Sequence, residues 1–176
     1  MHSNKHSLRA AGVLLALSSL AHASLAPASA RQQDNGRIRR EIQAIYDKLD
    51  KATRDKDIEF VKSVETDEFS RKKKDGTVVA REQSDAELQQ VFDMVKEVRV
   101  SSTTIDKVIP AADPNEVIVE ATSRADIILA MPDGQTHQLA GTGKDRDTWV
   151  STSHGWRLKS SEEIESSYKM DGKPLQ

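Results

Sequence analysis

Apolar positions in the first third of the chain recur on a helical period. Ile38, Ile42, Ile45, Tyr46, Leu49 and Ala52 follow one another at spacings of 4, 3, 1, 3 and 3, and charged residues cover the opposite face. This predicts a long amphipathic helix over 37–54. Asp55-Lys56-Asp57 breaks it, and Asp57 is placed to cap a short second helix carrying Ile58, Phe60, Val61 and Val64. A strand beginning at Glu68-Phe69-Ser70 runs into Arg71-Lys72-Lys73-Lys74. Asp75-Gly76 makes the turn and Thr77-Val78-Val79 the return. Ser84-Asp85-Ala86-Glu87 reads as a capping box, so Leu88, Val91, Phe92 and Val95 predict a third helix over 85–97.

Beyond that helix the period drops from 3.6 to two. Val98, Val100, Ser102 and Thr104 alternate with Arg99, Ser101 and Thr103, and the strand leads to Pro110. Turns at Asp113-Pro114-Asn115, Pro132-Asp133-Gly134 and Ser153-His154-Gly155 separate three further strands, over 117–131, 137–152 and from Trp156 to about Tyr168. Three helices and a hairpin followed by four long antiparallel strands predict an α+β domain, with one curved sheet wrapped around helices.

The first thirty residues are of another kind. Lys5 and Arg9 open a segment without Asp or Glu, Ala10–Leu20 is an apolar run of eleven, and Ala21-His22-Ala23 and Ala28-Ser29-Ala30 offer small-residue cleavage patterns. This is the layout of a cleavable export signal over 1–30, with cleavage after Ala30 preferred over Ala23, and the run is too short to span a bilayer. The expected product is periplasmic or extracellular. Residues 31–36 are expected as a disordered lead, 37–168 as a single domain, and 169–176 as a tail.

Removing the signal changes what composition excludes. The 176-residue chain of net charge −2 becomes one of 146 residues, with 24 Lys and Arg against 28 Asp and Glu, a net charge of −4. It has no cysteine and keeps only His137 and His154. Disulfides, thiolate catalysis, thiolate metal sites and a three-histidine metal site are excluded. The acidic balance argues against nucleic acid as a partner. No metal or other cofactor is expected, and no membrane span once the signal is gone. Gly141-Thr142-Gly143-Lys144 lacks the first glycine and the Ser/Thr of a phosphate loop, so its glycines are expected to mark a bend in a strand.

Several joints carry a family resemblance. These are Ala52-Thr53-Arg54-Asp55-Lys56-Asp57-Ile58, with Lys56 where a glycine is usual, Asp67-Glu68-Phe69 followed by Asp75-Gly76-Thr77, Gly143–Val150, and Gly155-Trp156-Arg157-Leu158. In that order they resemble the nuclear transport factor 2-like superfamily, and more narrowly its SnoaL-like, ketosteroid isomerase-like branch, especially the secreted members. The resemblance covers about 37–168. It implies a cystatin-like cone, in which a curved antiparallel sheet wraps the long N-terminal helix with two further short helices. It also implies an apolar pocket inside the cone and a homodimer through the outer sheet face.

Ketosteroid isomerases of this branch use an aspartate base with a tyrosine and a protonated aspartic acid as oxyanion donors. On this chain the tyrosine position falls near Leu49, one turn past Tyr46. The base position falls at Lys73, which cannot replace a carboxylate, and the third position falls on Asp147. Asp147 and Tyr46 are therefore the catalytic candidates. Tyr46, Leu49, Lys73, Asp147 and Trp149 are the expected pocket residues. Three of them have plainer alternatives: Tyr46 and Trp149 as core, and Asp147 in a salt bridge to Arg124 or Arg146. In 71–74, Arg71 and Lys73 should face one way and Lys72 and Lys74 the other, at the cone mouth or on a solvated hairpin tip. The leading expectation is an exported pocket domain for a small apolar or amphipathic ligand. The alternatives are an isomerase, cyclase or dehydratase using Asp147 as acid/base, or a structural dimer or adaptor without ligand.

Overall fold

In this computed structural model residues 28–132 and 134–175 are described, so all but the last three residues of the expected signal lie outside the described residues. Helix α1 runs from Ala28 to Asp55 and takes in 31–36, which are helical and not a loose lead. Ala, Arg and Gln dominate 28–33 and favour the helix, and only Asn35-Gly36 weaken it. The apolar stripe faces the core: Ile42, Tyr46 and Ala52 are buried, while Ile38, Ile45 and Leu49 pack at its margin. At the following joint Lys56 takes the left-handed conformation, φ 59°, that a glycine would adopt without strain. Asp57 then caps α2 (Ile58–Ser63) by accepting from Phe60 N at 3.0 Å.

Strands β1 (Glu65–Lys72) and β2 (Val78–Ala80) form the expected hairpin, and α3 (Arg81–Met94) follows directly. This helix starts four residues before the expected one. Ala80 is its N-cap residue without a side-chain bond, and Ser84 lies buried inside the helix. Arg81 anchors that end by donating to Thr66 O and Asp67 Oδ1, both at 2.9 Å, and to Lys62 O at 3.3 Å. Glu87, expected in the capping box, turns to Arg71 and Lys73.

Four long strands complete the chain, β3 (Val95–Pro110), β4 (Glu116–Ala130), β5 (Thr136–Thr152) and β6 (Gly155–Met170). The expected tail instead extends β6 and adds a two-residue β7 (Lys173–Pro174). The sheet order is β2-β1-β6-β5-β4-β3, with β7 also on β6, and the β1–β6 pairing is parallel. Its inner face meets α1 through Ile105, Val117, Val119, Ala121 and Trp149. Each large apolar side chain so buried contributes about 1.5–3 kcal/mol.

The outer face is charged. Lys72, Glu162, Arg146 and Glu120 form a chain of ion pairs across β1, β6, β5 and β4, at 2.8, 3.6 and 3.0 Å. Among the described residues the exposed large hydrophobics are Val78, Val91 and Leu175.

At the end of the sheet, α1 closes β3. Arg39 donates to Ile105 O, Gln43 donates to Thr103 O and accepts from Ile105 N, Asp50 accepts from Thr103 N, and Arg54 donates to Ser101 O. Side chains from one helix face thus bond the main chain that β3 turns away from β4.

Candidate functional site

Alternation along β5 decides what enters the cone. Gly143, Asp145, Asp147 and Trp149 share the inner face, and Lys144 and Arg146 the outer one. Arg146 is held by Glu120 and Glu162, so the expected salt bridge from Asp147 to Arg124 or Arg146 does not form.

Asp147 instead meets α1. The Tyr46 hydroxyl donates to Asp147 Oδ2 at 2.5 Å and accepts from Trp149 Nε1 at 3.2 Å, and the two rings meet edge-on with centroids 5.4 Å apart. Tyr46 and Asp147 are each 5% exposed and Trp149 is fully buried. Among the described residues Asp147 Oδ1 makes no hydrogen bond of normal geometry, with Ser161 its cross-strand neighbour on β6. Burial raises the Asp147 carboxyl well above the ordinary carboxylate range, against the opposing influence of Ser161 and Tyr46. The Tyr46 hydroxyl is pushed up by burial and by Asp147, and stays protonated. Three of the expected pocket residues therefore converge, but within packed core. Leu49 lies at the margin of the same core. Lys73 stands apart, its ammonium donating to Glu87 at 3.0 Å on α3.

One step toward the open end of β5, a cleft of about 270 Å³ is lined by Arg71, Asp145, Glu163, Glu165, Ser166 and Tyr168 over Gly143. Burial, with Asp147 and Glu163 adding negative charge, raises the Asp145 carboxyl to about 7, while Arg71 pulls the other way. The Arg71 guanidinium also pairs with Glu87 at 3.3 Å. Arg71 and Lys73 thus share the inner side and Lys72 the outer, as alternation requires. Asp145 and Glu163 were not singled out from sequence. The available signal was Asp145-Arg146-Asp147, two carboxylates one residue apart on a strand and so on one face.

The glycines of 141–144 are explained by packing, not by phosphate. A Cβ on Gly141 would lie 2.2 Å from Ser167 O, and one on Gly143 would lie 3.2 Å from the Tyr168 hydroxyl. His137 bonds Asp171 at 2.6 Å and His154 is exposed in the last turn. Among the described residues no group of His, Cys, Asp or Glu could hold a metal, and no helix is long and apolar enough to cross a membrane.

Neither a protein-family model nor a curated protein sequence matches the chain. Solved structures do. A type 2 hexachlorocyclohexane dehydrochlorinase (LinA) matches 82% of this chain and 93% of its own, with a TM-score of 0.57 at 12% identity. An NTF2-like protein from Cytophaga hutchinsonii matches 76% and 96%, at 0.50 and 14%. Another from Rhodospirillum rubrum matches 68% and 94%, at 0.53 and 17%. With this topology and this cone, the chain has the nuclear transport factor 2-like, SnoaL-like fold.

Proposed function

We propose that the domain binds a small amphipathic ligand in the cleft formed by Arg71, Asp145, Glu163 and Tyr168. The observation that carries this is Asp145, a carboxyl brought to about 7 at the wall of a cleft on the inner face of the cone. A partly desolvated acid beside two further carboxyls is stabilised by a polar or cationic partner bound against it. The lining is polar, which favours an amphipathic ligand over a purely apolar one. Export to the periplasm or outside the cell remains part of the proposal, on the strength of the pattern in 1–30.

Native mass spectrometry of the protein purified from its own host tests the reading. A copurifying small molecule is expected, and Ser166→Trp, which fills the cleft from an exposed position, should remove it. A bare protein mass, together with an Asp145 that titrates near the ordinary ~3.9, would refute it.

The second reading is acid/base catalysis of the isomerase, cyclase or dehydratase kind. Asp147 is sealed by Tyr46 and Trp149 and cannot meet a substrate without core opening. Asp145, at the cleft wall and close to neutrality, is the group suited to exchange a proton with one. Asp145→Asn should then abolish turnover of a carbonyl substrate while leaving binding. The structural-dimer reading gains little from an outer face crossed by ion pairs. Sedimentation of the protein at low and high salt tests it, since a dimer held by such a face would dissociate in salt.

A further inference from the structure

Helix α3 is fastened to β1 by charges more than by apolar burial. Ser84 is its one buried residue, Leu88, Phe92 and Met94 are half-buried, and Val91 is exposed. An element with so little buried apolar surface opens at low cost. Two polar ties hold it. At the first turn Arg81 reaches Thr66 O, Asp67 and Lys62 O, and further along Glu87 receives Arg71 and Lys73 at 3.3 and 3.0 Å.

The first tie contains a pair of acids. Glu65 of β1 and Asp85 of α3 approach the same Arg81 Nε, at 3.9 and 3.8 Å, and the Glu65 side chain is only 10% exposed. Glu65 Oε2 and Asp85 Oδ1 are buried and make no hydrogen bond among the described residues. The two terminal nitrogens of Arg81 are engaged by Thr66, Asp67 and Lys62. The neighbouring cations turn elsewhere: Lys62 of α2 toward Glu59, Arg157 of β6 to Ser63 O, Lys159 of β6 to Glu116, and Arg71 of β1 itself to Glu87. Strand β2 carries no titratable group. Carboxylates only accept, so one proton between the two acids provides the donor this site lacks. Burial first, and then Asp85, raise the Glu65 carboxyl to about 7, with Arg81 opposing.

We infer that α3 is released by rising pH: a proton shared by Glu65 and Asp85 holds its first turn on β1, and loss of that proton frees the helix and lets Arg71 leave Glu87 for Asp145 and Glu163. The release stands on β1 and α3 alone, and its action on the cleft rests on the ligand site proposed above. The docked Glu65 value lies above its ordinary 4.5, so docking is favoured most below that value and weakens as pH rises toward about 7. Beyond it, two carboxylates face one guanidinium already shared with Asp67. Arg71 then meets an Asp145 that has ionised over the same interval.

Hydrogen exchange of the whole protein at about pH 5 and about pH 8, corrected for intrinsic rates, tests the release. Protection of 85–94 should fall about tenfold or more between the two, while β4 and β5 change less than about threefold. Glu65→Gln, whose carboxamide donates to Asp85 at either pH, should keep α3 protected at the higher one. Asp85→Asn should do the same and serves if the first variant does not fold. Asp145→Asn should leave the fall in place. Unchanged protection in the parent, an equal fall in β4 and β5, or a fall that persists in Glu65→Gln and Asp85→Asn would overturn the inference. So would a fall abolished by Asp145→Asn, which would assign the response to the cleft acid. Carbon-13 NMR reads the second half: Asp145 should titrate higher in Glu65→Gln, where Arg71 stays with Glu87, than in the parent. Equal titration would overturn the link to the cleft while the release of α3 stands.

Discussion

Tyr46→Phe isolates what the buried trio contributes. Phenylalanine keeps the ring and its edge-on contact with Trp149 but removes one hydroxyl that serves two partners. Trp149 Nε1 then loses its acceptor, and Asp147, whose Oδ1 is already unbonded, loses its donor at Oδ2. An orphaned buried donor costs about 1–3 kcal/mol and a lost bond to a carboxyl about 1–2 kcal/mol, so the variant should lose about 2–5 kcal/mol. That is a large part of the roughly 5–15 kcal/mol of a typical domain.

The loss also has a direction in pH. The folded Asp147 carboxyl lies above its unfolded value, so this group favours folding most at low pH, and its contribution falls as pH rises toward the folded value. The Tyr46 bond favours the ionised form, so its removal raises the folded value further. The loss in Tyr46→Phe should then stay constant or grow with pH, and never shrink. Urea unfolding at about pH 4, 6 and 8, with unchanged m, measures it. A loss below about 1 kcal/mol at neutral pH, or one that shrinks as pH rises, would show that the trio is not the sealed network described.

Asp145→Asn tests the cleft acid: with a folded value of about 7 against an ordinary 3.8, the unfolded chain releases this proton first and stability declines across that interval. The variant should melt above the parent at about pH 8 and lose that advantage near pH 4, and a lower melting point at pH 8 would contradict the assignment. Gly141→Ala drives a Cβ to 2.2 Å from a backbone oxygen and should cost more than about 2 kcal/mol in urea unfolding, whereas Gly143→Ala meets only side-chain atoms at 3.1 and 3.2 Å and should cost under about 1. Equal losses would contradict the packing of β6 over β5. Lys56→Gly relieves the left-handed backbone at φ 59° and should change stability by a gain of up to about 1 kcal/mol. A loss of that size would mean that the bond from Lys56 to Val95 O outweighs the strain.

Periodicity exposed most of the fold because burial here obeys it. The stripe from Ile38 to Ala52 and the alternation after Val98 both report which face meets the core. The start of α3 was less legible: Ser84 and Glu87 have capping spacing, but Arg81, reaching three main-chain and side-chain acceptors across α2 and β1, begins the helix earlier. Counting along motifs reached Asp147 and its neighbour Trp149, since β5 alternates without interruption between Gly143 and Trp149. Counting to Lys73 gave a residue outside the core, because β1 ends at Lys72 and the next residues turn. Asp145 was hidden for a different reason. Its character comes from Glu163 and Arg71, brought together from β6 and β1, and from desolvation, none of which local spacing contains.

The bonding of α1 to β3 has a consequence for the solubility of the molecule. A sixteen-residue edge strand is a template for pairing with another chain, and proteins commonly blunt such edges with charges, bulges or short strands. Here the protection sits in side chains 39, 43, 50 and 54 of a helix distant in sequence. Resistance to intermolecular β-pairing therefore belongs to the docked helix. A chain whose sheet has formed before α1 settles would be sticky along that edge, and weakening Arg39, Gln43, Asp50 or Arg54 should promote self-association before it lowers the content of folded sheet.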